Sequence, residues 1–145
     1  ERFGVLDKEF QKYFKILFDG GNSFISQIDL EDGEEGVEIT ANPPGKKIKQ
    51  AASLSGGERS MTAAALICAI ISSNPPPFVI LDEIDAALDE ANSNRLVSIL
   101  EQLSKNTQLI IITHNRATME IADVLYGVTM DKEGVSRLTG VRLED

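Results

Sequence analysis

Near the start of the chain, Phe3, Leu6, Phe10, Tyr13 and Leu17 recur at steps of three, four, three and four, and Phe14 and Phe18 widen the stripe. This spacing predicts an amphipathic helix over residues 3–18 with a heptad seam. So short a repeat leaves open both an ordinary surface helix and the root of a coiled coil. Gly20-Gly21-Asn22 ends the helix, and the period then changes to two. Phe24, Ser26, Ile28 and Leu30 alternate with polar or oppositely facing neighbours, and Val37 and Ile39 repeat the pattern after Asp32-Gly33-Glu34-Glu35. An antiparallel hairpin is expected, with Asp29, Glu31, Asp32, Glu34, Glu35 and Glu38 as a solvated acidic face. Asn42-Pro43-Pro44-Gly45 breaks the second strand. Lys46, Lys47 and Lys49 follow as a small basic patch, either solvated or in contact with a phosphate or DNA backbone.

The second half is more apolar. Leu54-Ser55-Gly56-Gly57-Glu58-Arg59 leads into a helix that runs to about residue 72. Met61, Leu66, Ile67, Cys68, Ile70 and Ile71 leave it apolar on nearly all sides, so it should be deeply buried. Ser73-Asn74-Pro75-Pro76-Pro77 stops it. Phe78-Val79-Ile80-Leu81 then runs without a polar interruption into Asp82-Glu83, which reads as a strand buried on both faces. A turn carrying Asp85 and Asp89 leads to a helix over residues 90–104, with Leu96, Ile99, Leu100 and Leu103 on one face. A second apolar strand, residues 109–112, ends at Thr113-His114-Asn115. Strand, helix, strand predicts a parallel pair with a right-handed crossover. His114, the only histidine, should therefore share an edge with Asp82 and Glu83. A short helix near residues 116–122 follows, then strands near 124–130 and 135–138 around Asp131-Lys132-Glu133-Gly134.

Composition narrows the class. With 145 residues, 42% hydrophobic and 26% charged, the chain is long enough for one globular domain with a real core, and the strand-helix-strand order makes its expected class α/β. A net charge of -9 argues against this piece coating nucleic acid by itself. Cys68, the single cysteine, excludes an internal disulfide and reads as a small buried hydrophobe, in keeping with a reducing cytoplasm. The longest apolar stretch, residues 63–71, is far below the roughly 20 residues of a membrane span. No leader opens the chain, and its start at Glu1 reads as a cut through something longer.

Chemistry concentrates where apolar runs meet polar ends. A buried strand ending in Asp82-Glu83 presents a metal ligand followed by an acid with a different task, because carboxylates there need a cation or donors. Acids favoured at a helix start are the plain alternative. Ser55 and Glu58 have capping-box spacing. Gly56 and Gly57 weaken a first helical turn by roughly 1 kcal/mol each, which close approach of a phosphate to the turn's amides would explain. Gly45-Lys46 is not a phosphate-binding loop, since Thr40 and Lys47 occupy the positions of its first Gly and its Ser/Thr.

Taken in order, these residues resemble the C-terminal half of an ABC-type ATPase head. Leu54-Ser55-Gly56-Gly57-Glu58 matches the ABC signature, residues 78–83 Walker B with its glutamate, Ala87-Leu88-Asp89 the D-loop, and His114 the switch histidine. The form Leu81-Asp82-Glu83-Ile84-Asp85-Ala86-Ala87-Leu88-Asp89 is similar to the structural maintenance of chromosomes (SMC) family. That resemblance implies residues 1–20 as the root of a C-terminal coiled-coil arm and residues 21–145 as the lobe. It implies ATP and Mg²⁺ as cofactors, with Asp82 helping to hold the metal, usually through water, Glu83 polarising the attacking water and His114 turned to the γ-phosphate. Ser55, Gly56 and Gly57 would meet the γ-phosphate held by a second head, and Asp89 would couple the two sites. Implied partners are the N-terminal half of the same head, a second SMC head, a kleisin subunit and, through the full complex, DNA, without a membrane. The setting would be the cytoplasm or nucleoid (the nucleus in a eukaryote), on chromosomes. Without Walker A the chain alone should be inactive. A coiled-coil ABC ATPase of double-strand-break repair, a transporter ATPase domain and a non-catalytic kleisin-docking module are the competing readings.

Overall fold

The aromatic stripe at the start forms helix α1 (Arg2–Phe18). The structure, a computed structural model, describes residues 2–29, 33–45, 49–50 and 54–143, with the backbone alone at Lys49 and Gln50. Phe10, Tyr13, Phe14 and Leu17 are buried in the main core, and Phe3, Leu6 and Phe18 pack partly against it. Their rings also meet one another: Phe10 and Phe14 edge to face at 6.0 Å, Phe14 and Phe18 stacked at 4.2 Å. Polar ties reinforce the packing. The Asp7 carboxylate accepts the Ile25 N–H at 2.8 Å, and the Ser72 hydroxyl donates to Glu9 at 2.9 Å. Asp19, Gly20 and Gly21 all take positive φ as the chain turns back. At Gly21 a Cβ would collide with the Asn42 carbonyl and crowd the Phe14 ring, so only glycine fits this turn.

Strands β1 (Asn22–Asp29) and β2 (Glu35–Asn42) form the expected antiparallel hairpin, with Phe24 opposite Thr40 and Ile28 opposite Gly36. A short third strand, β3 (Lys49–Gln50), continues the sheet beside β2. Inward and outward faces differ from the expectation built on Phe24 and Ile28. Ser23 and Ile25 are buried, whereas Phe24 and Ile28 are exposed. The reason is that α1 packs against β1 and covers the Ser23–Ile25 side. Leu30, Glu31, Asp32, Lys46 and Lys47 lie outside the described residues, and with them parts of the acidic face and most of the basic patch.

Helix α2 (Gly56–Ser73) leads to strand β4 (Phe78–Asp82); helix α3 (Glu90–Leu103) then connects to strand β5 (Gln108–Ile112). β4 and β5 are parallel, pairing Val79 with Leu109 through Asp82 with Ile112. Leu96, Ile99, Leu100 and Leu103 of α3 are buried as their spacing predicts. Two burial expectations are corrected. α2 buries Met61, Ala64, Ala65, Cys68 and Ile71, but Ile67 and Ile70 on its other side are exposed. β4 is covered on one face only: Leu81 is buried, while Phe78 and Ile80 are 56% and 58% exposed, beside exposed Ile110 and Ile112 of β5. Among the described residues this sheet has two strands, and α1, α2 and α3 form a core with only one of its faces.

Burial pushes the Cys68 thiol up to about 12, so the thiolate that reacts with disulfide reagents is scarce at neutral pH. Native protein at pH 8 is expected to leave Ellman's reagent unreacted over tens of minutes and to titrate one thiol after unfolding in guanidinium. Immediate stoichiometric reaction of the native chain would contradict the packing of α2.

The chain closes with α4 (Arg116–Glu120) and an antiparallel hairpin of β6 (Val124–Met130) and β7 (Ser136–Arg142), β7 running further than expected. Asp131 closes the turn by accepting the Glu133 and Val135 N–H groups, both at 3.0 Å. Bonds from Val135 first, then Glu133 and Arg137, hold its carboxyl below the usual carboxylate range. One face of this hairpin carries exposed Tyr126, Val128, Met130 and Leu138, with the Tyr126 ring lying over Gly140. Among the described residues no helix is long and apolar enough to cross a membrane.

Candidate functional site

Parallel pairing brings the ends of β4 and β5 to one edge, as the strand-helix-strand order requires. Glu83 follows β4 directly, and its N–H donates to the Ile112 carbonyl at 2.9 Å. His114 leaves β5 two residues after that carbonyl. The two side chains meet, with His114 Nδ1 3.5 Å from Glu83 Oε1. Both are largely exposed, so this is a loose pair open to solvent rather than a buried ion pair. Glu83 has φ of +49°, a left-handed conformation that costs a non-glycine residue about 1 kcal/mol or more. Nothing in the residue pattern around Glu83 signals this strain. It is held by the Ile112 bond on one side and by the Ala86 N–H, which donates to the Glu83 carbonyl, on the other.

Asp82 ends β4 exposed, and its carboxylate makes no hydrogen bond or ion pair among the described residues. No group of three or more His, Cys, Asp or Glu that could hold a metal exists among those residues. One free carboxylate at an open edge suits Mg²⁺, which is typically bound by one or two carboxylates, water and substrate phosphate. It does not suit a metal caged by protein alone.

Asp89 is the N-cap of α3, its carboxylate accepting the Asn92 N–H at 2.8 Å. Ser55 is the N-cap of α2 in a complete capping box: its N–H and hydroxyl both donate to the Glu58 carboxylate, at 3.0 and 2.9 Å. An arriving phosphate would need that hydroxyl to turn away from Glu58. Gly56 and Gly57 have neither positive φ nor, among the described residues, any atom within 4 Å of where a Cβ would stand, so nothing in the described structure calls for glycine there. No hydrogen bond joins Ser55 to Glu83 or His114. The expected residues thus fall into two places, the β4–β5 edge and the start of α2.

One participant was missed. Asp85, read from sequence only as another acid in a turn, is 1% exposed. Its Oδ2 accepts the hydroxyls of Thr113 and Thr118. Asn115 continues the network, its N–H donating to Thr113 Oγ1 and its side-chain amide to Ser93 Oγ, both at 2.9 Å. The available signal was an acid flanked only by small and apolar residues, Ile84, Ala86, Ala87 and Leu88.

The acid–imidazole pair lies beyond the carboxyl ends of two parallel strands, where open α/β sheets bind their ligands. The family profile described as RecF/RecN/SMC N terminal domain matches residues 8–137, and the chain belongs to that family. Among its relatives it is similar to the chromosome partition protein Smc of Myxococcus xanthus (strain DK1622), with 47% identity across 100% of this chain and 12% of that protein. The chain therefore spans only a small part of the curated relatives it matches. Among solved structures it resembles an SMC head bound to the C-winged helix domain of ScpA, with TM-score 0.88, 38% identity, and coverage of 98% of this chain and 44% of that one. It also resembles a chain from a study of ATP-driven dimerisation and DNA-stimulated activation of SMC ATPases, with TM-score 0.82, 37% identity, and coverage of 96% of this chain and 84% of that one.

Proposed function

We propose that this chain is the C-terminal lobe of an SMC ATPase head, with residues 1–20 the root of its coiled-coil arm and residues 21–145 the lobe. The observation that carries this reading is the meeting of Glu83 and His114 at the edge where Asp82 also ends its strand. The matched family description speaks of an N-terminal domain, but the motif content favours the other lobe: signature, Walker B, D-loop and switch histidine in order, and no Walker A. The bare face of β4–β5 supports it too. Parallel sheets are ordinarily covered on both faces, and covering Phe78, Ile80, Ile110 and Ile112 is worth on the order of 1 kcal/mol each. An N-terminal half of the same head is the natural cover.

In the completed head, Asp82 with water would hold Mg²⁺, and the ion would supply charge neutralisation at the phosphates. Glu83 orients and polarises the attacking water, and His114, beside it, faces the γ-phosphate. The work is positioning and electrostatic stabilisation rather than covalent chemistry. Ser55 and the amides of Gly56 and Gly57 contact the γ-phosphate of a second head, and Asp89 lies where the two sites communicate. The parent organises chromosomes by this ATP cycle, with a kleisin subunit and with DNA through the whole complex.

The deciding measurement is calorimetry of ATP·Mg²⁺ with this chain alone and after addition of a matching N-terminal half. Binding is expected only in the second case. Tight binding by the chain alone would place a complete nucleotide site here and overturn the split-head reading. The exposed apolar face of β6–β7 favours a second reading, in which this lobe serves mainly as a docking module. Kleisin-dependent behaviour that is indifferent to Glu83→Gln would favour that reading.

A further inference from the structure

We propose that Asp85 is a positioning residue that holds the Thr113-His114-Asn115 loop so that the imidazole of His114 stays at Glu83. The inference rests on the pairing of Glu83 with His114 proposed above. The His114 side chain is 71% exposed, so packing alone cannot fix its position. The residues on either side of it are fixed instead. Thr113 Oγ1 donates to Asp85 Oδ2 at 2.7 Å and accepts the Asn115 N–H at 2.9 Å. A carboxylate can only accept, so Asp85 forces the Thr113 hydroxyl to point inward and leaves its lone pairs for Asn115. The same Asp85 oxygen accepts from Thr118, tying in α4, and Asn115 reaches Ser93 on α3. Across the edge, the Glu83 N–H is bonded to Ile112, so both members of the pair are referred to the end of β5.

A buried carboxylate is costly, and the other oxygen of Asp85 has no partner among the described residues. Fold stability alone is poorly served by such a group. Fixing the direction of a hydroxyl chain on both sides of an otherwise unsupported imidazole is a use that needs an acceptor of this kind.

The test uses His114 as its own reporter, because it is the only histidine in the sequence. Its imidazole signals in proton–carbon NMR spectra of the chain need no further assignment. Asp85→Ala and Thr113→Val are expected to move and broaden them. Asp85→Asn, which keeps an oxygen for both hydroxyls, and Thr118→Val, which leaves the Thr113 bond intact, should not. In the reconstituted head, Asp85→Ala and Thr113→Val should lower kcat roughly ten- to hundredfold with KM within about twofold, and Asp85→Asn should restore it. If Asp85→Ala does not fold, Thr113→Val carries the test alone. Imidazole signals and kcat of the unmodified protein in Thr113→Val would overturn the proposal, as would equal losses in Thr118→Val and Thr113→Val. If His114→Ala leaves hydrolysis unchanged, the pairing of Glu83 and His114 fails, and the NMR comparison still decides whether Asp85 positions the loop.

Discussion

A Glu83→Gln head, reconstituted with a matching N-terminal half, should bind ATP as tightly as the unsubstituted head, hydrolyse it at least about 10²-fold more slowly and accumulate as an engaged dimer. The amide keeps the size of the side chain and its exposed position but cannot take a proton from water. Asp82 is untouched, so the metal and the nucleotide should remain. Affinity by calorimetry, turnover by phosphate release and dimer mass by light scattering together separate the outcomes. Loss of binding would make Glu83 part of the nucleotide grip. Unchanged turnover would remove it from the chemistry.

Ser55→Arg should have the opposite signature, with ATP binding retained and the engaged dimer lost, even in a Glu83→Gln background. Arginine puts bulk and charge at the start of α2, where Gly56 and Gly57 leave open space. It also removes a helix cap worth about 1 kcal/mol. Ser55→Asn separates the two effects, since asparagine caps as well as serine and adds no charge. Ser55→Arg heads that still dimerise with ATP would show that the signature does not act across the interface.

Period and order along the chain made the elements legible. The three-four stripe of α1, the alternation of β1 and β2, and the apolar runs of β4 and β5 all appear where the pattern put them. The adjacency of His114 and Glu83 was legible as well, because two parallel strands joined by a helix must end together. Burial was not. Phe78 and Ile80 look fully buried in a sequence because an apolar run does not say how many faces of its strand are covered, and the described elements cover only one face of this sheet. The strain at Glu83 was invisible because backbone conformation at a single non-glycine residue leaves no compositional trace. Asp85 was underread because its partners, Thr113 and Thr118, lie 28 and 33 residues away in the sequence.

The way α1 is seated has a mechanical meaning. A 17-residue helix is about 25 Å long, and its second half, from Phe10 to Leu17, is clamped in the core. Arg95 of α3 grips its far end, with an ion pair to Asp19 at 3.0 Å, and also bonds Asn92 at 2.9 Å, whose N–H meets Asp89. The turn glycines Gly20 and Gly21 come after the clamp rather than before it, and Gly4, ahead of the clamp, is helical within α1. A load applied to α1 therefore meets no loop before it reaches the core. It turns α1 as a lever about Phe10 and Phe14, and the short arm of that lever meets α3 at Arg95, six residues past the cap Asp89.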